Sequence, residues 1–182
     1  IMPATLIDFI SSPEDTNLKF QFANFLKFLR LAATLITLLL PAVYIAMTSF
    51  HQELIPTELL FSILAARENI PFPVIFEILV MEISFELIRE AGLRVPSPIG
   101  PTIGIVGALV LGQAAVSASI VSPILIIIVA ITGIASFAIP DFSFGFHIRL
   151  MRFIFLILGY ACGFLGIGIG LYVYITILCS LR

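Results

Sequence analysis

Three stretches of this chain carry no Asp, Glu, Lys or Arg: residues 31–52, 95–140 and 153–181, of 22, 46 and 29 residues. A helix needs about 20 consecutive apolar residues to cross the hydrocarbon of a bilayer, so each stretch is long enough to do so. Strands of a membrane barrel would alternate apolar and polar residues between turns, whereas Ile124-Leu125-Ile126-Ile127-Ile128-Val129 is continuous. The expected class is therefore an all-α, polytopic membrane protein. Composition agrees: 60% of the 182 residues are apolar and only 11% charged, where a soluble domain would be about one quarter charged. The same figures exclude disorder, because disordered chains are poor in apolar residues. A formal net charge of -2 offers no basic footprint for nucleic acid.

The first span is expected at about 31–50, with Lys27 and Arg30 before it and Pro41 inside it, where the missing N–H and the ring bend a helix. The 46-residue run is too long for one crossing and suits two. Pro96-Ser97-Pro98-Ile99-Gly100-Pro101 opens it irregularly, and a helix follows at about 102–118. A turn falls in Ser117–Pro123, with Ser119 and Ser122 as cap-like residues and Pro123 suited to a first helical position. The next helix covers about 123–139, up to Pro140-Asp141, and the two form a Gly-rich helical hairpin. A last span lies within 153–178, leaving a stub at 1–30, a helical membrane domain at 31–178 and a tail at 179–182.

Residues 71–90 decide between four and five spans. Pro71 and Pro73 open a helix reaching Ala91 that carries Glu77, Glu82, Glu86, Arg89 and Glu90. At 100° per residue, Glu82, Glu86 and Arg89 fall within roughly 60° of one another, while Glu77 points well away. If this helix crosses, seven basic residues (Lys19, Lys27, Arg30, Arg89, Arg94, Arg149 and Arg152) flank one side against two (Arg67 and Arg182) on the other. If it does not cross, the division is four against five. The positive-inside rule then favours five spans and a cytoplasmic N-terminal stub. Against that, carboxylates inside a membrane are costly unless they face protein or water, so an interfacial or re-entrant helix stays open. Glu77, amid Val74, Ile75, Phe76, Ile78 and Leu79, needs either a neutralising partner or a cavity. Glu77, Glu82, Glu86, Arg89 and, on the third helix, Gln113 are the candidates for an ion path or a subunit interface, since carboxylates repeated around an axis attract cations.

Small residues recur at helical spacing: Gly104, Ala108 and Gly112 on one helix, and Gly159, Gly163, Gly166 and Gly170 in the last span. Such faces let backbones approach closely in lipid. No enzyme is indicated. The chain has no Gly-Lys-Ser/Thr phosphate loop, no HExxH and no CxxC; Cys162 and Cys179 have no metal-ligand spacing. No cofactor or metal is expected. Asp141 and His147, six apart with aromatic residues between them, suggest a loop anchored at the membrane surface.

The stretch PTELLFSILAARENIPFPVIFEILVMEISFELIREAGLRVPSPIGPTIGIVGALVLGQAAVSASIVSP, residues 56–123, resembles the membrane region of the spore germination receptor A subunit family. Pro71-Phe72-Pro73, Glu77, Glu82, the run from Phe85 to Gly92, Arg94, Pro96 and the stretch from Gly107 to Pro123 carry the likeness. It extends through Pro140-Asp141 and Arg149–Arg152 into the last span. The resemblance implies a multi-pass protein of the inner membrane of the bacterial endospore. It implies a homo-oligomer that works with B- and C-type receptor subunits, senses small nutrients such as amino acids or sugars, and triggers ion release as the channel-forming component. A related spore membrane paralogue, linked to dipicolinate release, fits the same residues. Full members have a large soluble N-terminal region and a hydrophilic tail, so 1–30 reads as the remnant of a missing domain and 179–182 as a truncated tail. A non-conducting structural or assembly subunit and a fragment of a secondary transporter remain alternatives, although no internal repeat of the transporter kind is evident.

Overall fold

A computed structural model describes residues 19–94 and 99–180, the side chains at 93, 94, 99–103 and 105 excepted. The stub before Lys19, the Pro96-Ser97-Pro98 break, the Arg94 side chain and Arg182 lie outside the described residues, while Ile99-Gly100-Pro101, expected to be irregular, form the first turn of α4, where a proline lacking its N–H is tolerated. What is described is helical throughout: α1 (Phe20–Ser49), a 3₁₀ turn (Gln52–Leu54), α2 (Thr57–Arg67), α3 (Val74–Arg94), α4 (Ile99–Ser117), α5 (Pro123–Phe137) and α6 (Phe142–Ser180). Two of these helices, α1 and α6, are long and apolar enough to cross a membrane.

The chain divides into two compact units, one formed by the segments up to His51 and from Ile131 onward, the other by Gln52–Ala130. In the first, α1 stays helical through Pro41. Its three buried threonines need partners where no water is available, and each finds one a turn back in its own helix. The hydroxyls of Thr34, Thr37 and Thr48 donate to the carbonyls of Arg30, Ala33 and Tyr44 at 2.8, 2.8 and 2.9 Å. The helix thus presents an apolar surface despite its polar residues. It packs against α6 around Leu38, Ala42, Ala46, Ile148, Phe155, Ile167 and Tyr174.

The last span differs from the sequence expectation. The helix begins at Phe142, where the Asp141 carboxylate accepts the Phe144 N–H at 2.6 Å and so caps the first turn. Asp141 and His147 therefore belong to a helix start, not to a surface loop. At Gly163 the backbone takes φ 60° and ψ -140°, a conformation that a side chain excludes, and the chain doubles back. Limb 164–180 then lies along limb 142–162: Tyr174 meets both Phe155 (ring centroids 6.2 Å apart) and His147 (5.9 Å). A Cβ on Gly170 would be 2.8 Å from Leu158 Cδ1, and one on Gly166 would collide with the Leu158 carbonyl oxygen. One continuous crossing over 153–178 is corrected to two antiparallel limbs. The physical reason is that residue 163 has no Cβ.

Limb 142–162 also runs in the same direction as α1. A Cβ on Gly159 would sit 2.9 Å from the Ala42 carbonyl oxygen and 3.3 Å from Ile45 Cγ2, while one on Gly163 would meet Phe50 and His51 at 3.3 and 3.2 Å. Later residues of one helix therefore meet later residues of the other.

In the second unit α3 packs along α4. The segment after α4 is a tight C-terminal cap. Ser119 adopts φ 52°, the Ile120 N–H reaches back to the Ala115 carbonyl at 3.0 Å and the Ser119 N–H to that of Val116 at 2.9 Å. That is the Schellman arrangement, with serine where glycine is usual. Ser122 then caps α5, its hydroxyl accepting the Leu125 N–H at 3.3 Å, and Pro123 occupies the first helical position.

Candidate functional site

The acid-bearing helix α3 is built inside out. Val74, Glu77, Ile78, Met81 and Glu82 are all buried, at the i, i+3, i+4 spacing of one helical stripe. Its opposite side is apolar and open: Phe76, Ile83 and Leu87 are 47%, 50% and 66% exposed, against 1% each for Glu77 and Glu82. A solvated surface helix would show its acids outward and its apolar residues inward. The two carboxylates occupy opposite edges of the buried stripe, which is why the angular count separates them although both are inside.

Glu77 occupies a fixed polar junction. Its Oε1 is 3.1 Å from Arg67 Nη2, and its Oε2 accepts the backbone N–H of Ser122 at 3.1 Å. The same Arg67 nitrogen also donates to the Phe72 carbonyl at 3.5 Å. One carboxylate therefore ties the end of α2 and the start of α3 to the turn between α4 and α5. A charged partner together with a hydrogen-bonded second oxygen is what a buried carboxylate requires. Of the two alternatives for Glu77, a partner or a cavity, the structure has the partner.

At the other edge, Glu82 is buried, and Glu86 and Arg89 are half-buried. Arg89 Nη1 lies 3.8 Å from Glu86 Oε2, an i, i+3 pair within the helix. Gln113 is elsewhere: it is exposed on α4, in a stripe with exposed Val106, Leu109 and Val110. The structure thus brings Glu82, Glu86 and Arg89 to one edge of α3, while Glu77 and Gln113 occupy other positions. Among the small residues, Gly159, Gly166 and Gly170 stand at close approaches, whereas a Cβ on Gly112 would make ordinary contact with Ile126 at 3.6 Å. Gly104 has open space beside it, and Ala108 is half-buried.

Arg149 and Arg152 went unrecognised in the sequence as interior residues. Reading them as flanking charges put them outside, yet they are only 9% and 3% exposed. Arg149 lies 5.7 Å from the Phe146 ring centroid and Arg152 5.7 Å from that of Phe153. Their i, i+3 spacing beside aromatic residues was the available signal. Among the described residues no group of three or more His, Cys, Asp or Glu side chains is placed to hold a metal.

Buried acids and an exposed apolar side on α3, together with two helices of spanning length, mark a helical membrane protein. The chain belongs to the Bacillus/Clostridium GerA spore germination protein family, which it matches over residues 1–182. It is 50% identical to spore germination protein KA of Bacillus subtilis (strain 168) over 182 residues, covering 100% of this chain and 34% of that protein. It is 46% identical over 180 residues to the uncharacterized membrane protein YfkQ of the same strain, covering 99% of the chain and 35% of the relative. With spore germination protein A1 of that strain it shares 47% identity over 167 residues, 92% of the chain and 35% of the relative. The chain thus spans about a third of the length of these relatives. No solved structure matches it. Membership, with two helices long and apolar enough to cross a membrane, makes it a membrane segment of a spore germination protein.

Proposed function

We propose that this chain is the membrane part of a germinant receptor subunit in the inner membrane of the endospore. There it assembles with copies of itself and with B- and C-type subunits, and opens an ion path when small nutrients are sensed. The observation that carries this reading is the inside-out character of α3, with Glu82 buried and Ile83 and Leu87 exposed beside it. Acids held inside a bilayer are expensive and are retained where they serve a path or a partner. Glu82, Glu86 and Arg89 form the proposed lining, Gln113 the polar position offered to a neighbouring subunit, and Glu77 the fixed support.

Chain direction supports five crossings up to Gly163. Since α1 and limb 142–162 run parallel, the chain between them must return across the membrane an odd number of times. The short α2 (Thr57–Arg67) rises only about 16 Å and does not cross. Helices α3, α4 and α5, the last two forming the Gly-rich hairpin, supply three crossings. With Arg149 and Arg152 buried within limb 142–162, the flanking basic residues still divide five to two in favour of the side of Lys19.

The test is ion flux through the assembled receptor carrying Glu82→Gln or Glu86→Gln, with assembly checked by co-purification. Altered cation flux with assembly intact supports the lining. Unchanged flux in both variants overturns it in favour of a structural or assembly subunit.

A further inference from the structure

We propose that limb 164–180 recrosses the bilayer. Ser180 then lies on the same membrane face as Lys19, and the reversal at Gly163 lies on the opposite face, beside His51. Three observations carry this. The reversal itself rests on a backbone conformation that only glycine adopts readily, at φ 60°. The pairing of the limbs is read twice over, from Tyr174 against both Phe155 and His147 and from Gly166 and Gly170 against Leu158. In a straight helix residues 155 and 174 would stand about 28 Å apart, so no simple bend accounts for these contacts.

The level of the reversal is set by α1. Phe50 and His51 meet Gly163, and the His51 ring lies 5.0 Å from that of Phe164. Just beyond them come Gln52 and Glu53, the first acid after the 31–52 run, so this end of the bundle stands at a membrane surface. From there limb 164–180 runs back for about 25 Å, close to the hydrocarbon thickness. Its outward side is what acyl chains would meet: Leu165 is 76% exposed, Ile169 61% and Tyr172 73%. The partner of this surface is lipid hydrocarbon, and the limb adds a sixth crossing to the five of the proposed topology. The division of flanking basic residues sharpens with it, because Arg182 would follow Ser180 to the side of Lys19.

The two exposed thiols, Cys162 and Cys179, stand at opposite ends of the returning limb and make the proposal measurable. Sidedness rests on the membrane reading and the fold-back does not, so the experiment has two arms. In the first, Phe155→Cys and Tyr174→Cys are combined in the full-length receptor subunit with Cys162→Ser and Cys179→Ser. A disulfide within the chain, formed under mild oxidation and lost when either substitution is omitted, establishes the fold-back; its absence overturns the proposal. In the second, a membrane-impermeant maleimide is applied to sealed vesicles of known orientation carrying either Cys179→Ser or Cys162→Ser. Preferential labelling of Cys162 and Cys179 from opposite faces is expected, with Cys179 labelled from the face that also labels Lys27→Cys. Labelling of Cys179 from the other face overturns the recrossing even where the cross-link forms.

Discussion

The two units solve the same problem, close packing without water, by opposite chemistry. In the unit of α1 and α6, helices meet by leaving atoms out: Gly159 admits the Ala42 carbonyl, and Gly163 lets the chain reverse. In the unit from Gln52 to Ala130, segments are held by a charge: Glu77 is 1% exposed and binds Arg67 on one side and the Ser122 N–H on the other. Backbone contact of the first kind is tolerant of polarity but intolerant of volume. A carboxylate junction is the reverse, since its cost lies in desolvation and is recovered only while both partners are present. The two units should therefore fail in different ways.

The largest effect is expected at the charge. Glu77→Leu roughly preserves volume and suits the apolar neighbours, but it removes the charge and strands a partly buried guanidinium and a buried N–H. Breaking a buried pair by removing one partner costs about 3–5 kcal/mol, and the lower end applies here because the Arg67 side chain keeps 24% of its exposure. Glu77→Gln leaves an oxygen for the Ser122 N–H and should lose markedly less. Thermal unfolding of the detergent-solubilised protein checks the order. Equal losses for the two variants would mean that the junction acts through shape and not through charge.

The next effect belongs to volume. Gly159→Ala places a methyl 2.9 Å from a backbone oxygen, a neighbour that cannot rotate away, and overpacking of this kind costs about 1–3 kcal/mol. Gly104→Ala adds the same methyl in open space and should leave the stability of the isolated chain unchanged or slightly raised. Oligomer assembly, followed by size-exclusion chromatography of the complex, sharpens the contrast. A Gly104→Ala variant that is stable but fails to assemble would make that face a subunit contact, as the four-residue spacing of Gly104, Ala108 and Gly112 suggests.

What could be read from the sequence follows the same division. The apolar runs and the junction of Ser122 with Pro123 are local signals, the first set by the cost of charge in hydrocarbon and the second by capping chemistry within one turn. The run at 31–52 lies in α1 up to Ser49 and α5 begins at Pro123, whereas the run at 153–181 is broken at Gly163. The reversal at Gly163 was invisible, because Gly159, Gly163, Gly166, Gly168 and Gly170 look alike in a uniformly apolar run and only packing singles out one of them. Glu77 was recognisable as needing a partner, but its partners lie 10 and 45 residues away in sequence, and no periodicity connects them. The angular grouping of Glu82, Glu86 and Arg89 follows from helical periodicity alone. Which edge of the helix was buried depended on neighbours that the helix itself does not encode.

The smallest predicted change tests whether the turn supporting Glu77 carries strain. Ser119 holds φ 52° at the position after α4 where glycine is the usual residue. A left-handed conformation costs an L-residue about 1 kcal/mol more than glycine. Its neighbours Ile120 and Val121 both reach back to the Ala115 carbonyl, at 3.0 and 3.4 Å, so the conformation is imposed by the cap and not by the serine side chain. Relief of about 1 kcal/mol of strain is partly offset by glycine's entropic cost of about 0.5–1 kcal/mol, so Ser119→Gly should stabilise the chain by about 0.5 kcal/mol at most, read as a small rise in unfolding temperature. In a Glu77→Leu background, where the turn has lost its anchor at Ser122, the same substitution should gain less. An equal gain in both backgrounds would show that the cap forms independently of the carboxylate, and would reduce the charged junction to a tether between segments that are already folded.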